Sequence, residues 1–79
     1  MFFKGAKMKY LYNYLVSKNI TVKEFEDKAC VILDNNDGFI PFATNDIMQH
    51  YSLSSDCKLE VDMLLAKILE RYYTFAKRN

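Results

Sequence analysis

Residues 56–77 read DCKLEVDMLLAKILERYYTFAK, and along them Cys57, Val61, Leu64, Leu65, Ile68, Tyr72 and Phe75 recur at three- and four-residue steps. That repeat is one face of an α-helix. A helix of roughly 20 residues runs about 30 Å, the full width of a domain this size, so the shorter segments before it have to pack along it. The expectation is an all-α fold, a four-helix domain spanning residues 1–79 with three short helices around a long C-terminal spine. A second apolar line, Leu59, Met63, Ala66, Leu69 and Tyr73, lies on another side of the spine. Its spacing approximates the a/d seam that helix-on-helix contact requires. Either the other helices wrap the spine and bury both lines, or one line stays exposed for a partner.

Composition narrows the class. At 79 residues, 51% apolar and 15% aromatic, the chain has enough hydrophobic material for one core and is no disordered tail. Two glycines and one proline allow few tight turns, which favours helices over a many-stranded sheet. Cys30 and Cys57 sit inside apolar runs with no metal-type spacing, and read as buried free thiols in a reducing compartment. No apolar run approaches a signal peptide or a membrane span, so a cytoplasmic protein with no membrane contact is expected.

The net charge of +1 hides three blocks. Residues 1–23 carry five lysines and no acid, residues 24–70 carry three lysines against ten acids, and residues 71–79 carry three basic residues. The basic ends either neutralise the acidic middle or meet a phosphate backbone or an acidic protein.

In chain order, residues 6–18 read as a helix with Met8, Leu11, Tyr12, Leu15 and Val16 inward. It stops near Asn19, which tolerates a left-handed end. Phe3, Lys7, Tyr10 and Tyr14 fall on its other face. Thr21 and Glu24 have capping-box spacing and Ile20 with Phe25 that of a hydrophobic staple, so a second helix starts at Val22. Val22, Phe25, Ala29, Ile32 and Leu33 continue its apolar face. Residues 30–42 then fit two local structures, a short β-hairpin pairing Cys30–Leu33 with Phe39–Phe42 or an irregular connection between helices. Thr44 reads as the N-cap of a helix over residues 45–51, and Ser55 with Asp56 opens the spine.

Two stretches resemble known motifs. With Leu33 as first loop position, Asn35, Asp37, Gly38 and Ile40 fall on positions three, five, six and eight of an EF-hand loop; Leu33 replaces the first aspartate and Thr44 the twelfth-position glutamate. The resemblance implies a degenerate calcium-binding module. Residues 45–58 resemble a DNA-reading helix-turn-helix, with Met48 where a small residue stands, Ser52 at the turn glycine and Leu53 at the buried turn position. The helix meant for the major groove presents Asp56, Glu60 and Asp62 beside Lys58, and carboxylates repel phosphates. Nucleic-acid contact would fall instead to Lys4, Lys7, Lys9, Arg71, Lys77 and Arg78.

Catalysis finds no constellation. His50 is the sole histidine and stands at no diagnostic spacing from a nucleophile or a carboxylate. A glycine-rich phosphate loop, a zinc spacing and a serine-centred motif are all missing from the sequence. The expectation is a non-catalytic regulatory, adaptor or inhibitor protein without cofactor or metal. It would bind a macromolecule, with a protein favoured, through Leu59, Met63, Ala66, Leu69 and Tyr73 of the spine and Tyr10 and Tyr14 of the first helix. Homodimerisation through the same face is a variant of that reading, and a helix-turn-helix-like DNA-binding regulator is the runner-up.

Overall fold

The computed structural model describes the backbone of residues 9–77 and the side chains of residues 9–71. Four helices follow in order, α1 (Lys9–Ser17), α2 (Val22–Asn35), α3 (Ile40–Tyr51) and α4 (Lys58–Lys77), with a 3-10 turn at Ser55–Cys57 leading into the last. No strand occurs among the described residues. The all-α architecture with a C-terminal spine is therefore as the periodicity requires.

α4 supplies the central stripe of the core. Val61, Leu64 and Leu65 are fully buried and Cys57 nearly so, while Ile68 is half-buried at the stripe's far end. Against this stripe α1 turns in Leu11 and Leu15, α2 Phe25, Ala29, Ile32 and Leu33, and α3 Ala43 and Ile47. Each such leucine, isoleucine or phenylalanine contributes about 1.5–3 kcal/mol by leaving water. Tyr72 and Phe75 lie on the same side of the α4 helix by sequence, but their side chains fall outside the described residues.

The start of α2 is set by the residues that announce it. The Thr21 hydroxyl accepts from the Glu24 amide at 3.1 Å, and the Glu24 carboxylate accepts from the Thr21 amide at 2.9 Å. Its end corrects the hairpin expectation. Residues 30–33 continue α2 to Asn35, and Phe39–Phe42 form the entry of α3. Pro41 explains the second change: at the head of a helix its missing N–H leaves nothing unpaired and its fixed φ suits the first turn. α3 accordingly begins at Ile40, four residues before Thr44. Instead of capping a helix, Thr44 is buried within one and donates its hydroxyl to Asp62 of α4, which also receives Lys58 Nζ at 3.2 Å.

Three helix ends are built alike. The amides of Ile20, Gly38 and Leu53 reach back to the carbonyls of Leu15, Leu33 and Met48 at 2.9 Å each. In each case the preceding residue, Asn19, Asp37 or Ser52, has a φ between 54° and 59°. This is the Schellman closure, with polar residues where glycine is usual. Ile20 and Leu53, just past two of these ends, tuck against the core. The chain thus reverses sharply with few glycines.

Three inward assignments also change. Tyr12 and Val16 are exposed, because α1 buries only the narrow Leu11–Leu15 edge. Cys30 is exposed beside Val31, since the α2 side that meets the core is the one carrying Phe25, Ala29, Ile32 and Leu33; Cys57 alone is buried as expected. Both thiols are free.

Candidate functional site

The surface of α4 is set by helical geometry. At about 100° per residue, Met63 and Ala66 lie within about 40° of Leu59, whereas Leu69 lies about 80° away. The structure shows the consequence. Leu59 is 69% and Met63 39% exposed, and Ala66 is exposed, all on the side opposite the core stripe. Leu69 is half-buried and packs against the core. The second apolar line is therefore two features, an exposed strip at Leu59, Met63 and Ala66 and a flank at Leu69. Tyr73 belongs to α4, with its side chain outside the described residues.

The other partner candidates also divide. Tyr10 is half-exposed, with Lys9 Nζ 5.8 Å from its ring centroid. Tyr14 is half-buried and donates its hydroxyl to the Tyr51 carbonyl, which ties α1 to the end of α3. Tyr51 in turn rests on Phe25 at a ring distance of 5.1 Å. Burial first, then the charge of Glu24, pushes the Tyr51 phenol up from its ordinary value. Tyr14 and Tyr51 accordingly hold helices together.

Of the nucleic-acid candidates, Lys9 and Arg71 are exposed on α1 and α4. Lys4, Lys7, Arg78 and the side chain of Lys77 lie outside the described residues. The loop of the EF-hand resemblance is short: positions 33–35 belong to α2 and positions 40–44 to α3. No group of three or more metal-type ligands gathers among the described residues. The turn of the helix-turn-helix resemblance does take the left-handed form at Ser52, with Leu53 half-buried beside it. However, Glu60 is turned inward and Lys58 is held by Asp62.

Two further features come from the three-dimensional packing. Phe39 and Phe42 flank Pro41 and stack edge to face at 4.7 Å, both more than half exposed. A groove of about 580 Å³ runs between α2 and α4, walled by Val31 and Leu33 on one side and Ile68 and Leu69 on the other, with Asp34 and Asp37 at one end and Cys30 in its lining. The sequence carried a trace of the first in Phe-Ile-Pro-Phe. The groove depends on where α2 ends relative to α4, which no local pattern encodes.

No family model, curated protein or solved structure matches the chain. No helix among the described residues is long and apolar enough to cross a membrane.

The two thiols yield a direct expectation. Burial raises the Cys30 thiol from its ordinary value, Asp27 and Glu26 raise it further, and Arg71 draws it back. Burial likewise raises Cys57, with Ser54 opposing by a hydrogen bond. A thiol whose folded-state value is raised favours the fold below the unfolded value and loses that contribution as pH climbs through the folded one, so both effects fall in the alkaline range. At pH 8 a disulfide reagent should modify Cys30 in the native chain and reach Cys57 only on unfolding. Equal labelling rates at both positions would contradict the burial of Cys57.

Proposed function

We propose that this chain is a non-catalytic regulatory or adaptor protein that binds another protein through the exposed apolar strip of α4, with Tyr10 of α1 as a secondary contact. One observation supports this reading above the others: Leu59 and Met63 stand in solvent on the side of α4 turned away from the core. Such a strip contributes little to the fold, and covering it removes apolar area from water without disturbing the core. Met63 adds an adaptable side chain of the sort that protein interfaces favour.

The test is affinity capture from a lysate of the source organism, with and without nuclease, using the wild-type chain and a Leu59→Glu/Met63→Glu variant. The wild type should retain a stoichiometric protein that survives nuclease. The variant should lose it by about 30-fold or more, as for a hot spot worth about 2 kcal/mol, with unchanged helicity by circular dichroism. Retention by the folded variant would place the contact elsewhere. Loss of the captured material on nuclease treatment would point to nucleic acid instead.

A further inference from the structure

The α2–α4 groove is a surface separate from the strip, and its chemistry is uneven along its length. Its walls are apolar: Val31 is 54% exposed, and Ile68 and Leu69 are each half-buried. One end is acidic. Asp34 and Asp37 are exposed, and among the described residues neither carboxylate has a hydrogen-bonding or ion-pairing partner. Asp34 and Asp37 stand at the C-terminal end of α2, the negative end of the helix dipole. Toward Cys30 the balance is different, because Arg71 there offsets Glu26 and Asp27. The groove therefore offers hydrophobic contact along its length and, among the described residues, two unpaired carboxylates at Asp34 and Asp37.

We propose that the α2–α4 groove docks a short amphipathic segment of another protein, seating apolar side chains against Val31, Ile68 and Leu69 and placing a lysine or arginine at Asp34 and Asp37. Charge complementarity selects this occupant. An acidic or purely apolar segment leaves both carboxylates unpaired beside it, whereas a basic residue there gains two opposite charges without stripping any ion pair among the described residues. The volume lies within the roughly 300–1,000 Å³ typical of binding clefts, enough for a few side chains.

The experiment is a titration of the ¹⁵N-labelled full chain, at physiological salt, with a 14-residue peptide carrying leucine on one helical face and lysine on the other. A matched peptide has glutamate in place of each lysine. The lysine peptide should shift the amides of residues 30–38 and 68–69 and bind more tightly than its glutamate counterpart. Asp34→Asn/Asp37→Asn should weaken it about two- to thirty-fold, the range for two exposed charge pairs, and Val31→Gln should weaken both peptides. All three positions are exposed, so the variants should keep the native helical spectrum. Equal affinity for both peptides, no binding, or shifts centred on residues 59–66 would overturn the proposal, the last while leaving the α4 strip as a binding face. A dimer of the unliganded chain that Val31→Gln disperses would also overturn it, since the occupant would then be a second copy.

Discussion

Replacing Glu60 by alanine should lower the unfolding free energy by about 3 kcal/mol, the value of two hydrogen bonds to a charged group allowing for one long contact. The carboxylate is 5% exposed, and it accepts the amide of Leu11 at 2.7 Å and that of Tyr10 at 3.3 Å. These amides belong to the first turn of α1 as described, and among the described residues Glu60 is their acceptor. A negative charge there also suits the helix dipole. Glu60 thus serves as the N-terminal cap of a helix 49 residues away from it in sequence. Truncation removes the acceptor and leaves the buried Leu11 amide unsatisfied and the part-buried Tyr10 amide without its carboxylate, without making a large apolar cavity. At about 4–8 °C per kcal/mol for a domain of this length, Tm should fall by roughly 12–24 °C. Glu60→Gln should fall between, because its amide oxygen can accept one of the two N–H groups while its NH₂ opposes the other. Hydrogen exchange should localise the damage, with the amides of Tyr10 and Leu11 losing protection before those of α2 or α3. A change in Tm of under about 3 °C for Glu60→Ala would show that this cap contributes little.

Glu60 also shows where reading the sequence stops. The existence of four helices was legible because each depends on near neighbours: the period of α4, the capping box at Thr21 and Glu24, and the tolerance of Asn19 for a left-handed end. Pairings between distant residues leave no such trace. Glu60 looks like one of several solvated acids at the head of α4, and only the placement of α1 turns it inward. Thr44 likewise has the residue type and position of a cap, yet Pro41 had already started the helix and Asp62 supplied the hydroxyl with a different partner. The hairpin expectation failed because a short apolar run such as Cys30–Leu33 serves strand and helix equally well, and the periodic residues before it kept α2 going.

The candidate surface was partly legible for the same reason. A three- and four-residue spacing groups Leu59 with Met63 and Ala66 correctly, since these stay within about 60° of one another around the helix. The next step, to Leu69, moves off the strip and toward the neighbouring helices. Which side of α4 the other helices cover is a tertiary matter.

That difference makes Leu59 and Leu69 a decisive pair. Leu69→Glu should destabilise the domain by about 2–4 kcal/mol, from lost apolar burial and the cost of a carboxylate among apolar groups. Asp34 and Asp37 share its groove and add like charge to that cost. Leu59→Glu, at a side chain 69% exposed, should stay within about 0.5 kcal/mol of the wild type. Urea unfolding followed by circular dichroism would read both, and an unchanged midpoint for Leu69→Glu would mean that this residue does not support the core. The contrast also governs how binding data are read. A Leu69→Glu chain that loses its partner has lost part of its fold as well, so the loss cannot locate an interface. A Leu59→Glu chain that loses its partner at unchanged stability can, because the substitution alters the exposed strip and leaves the core that positions it intact.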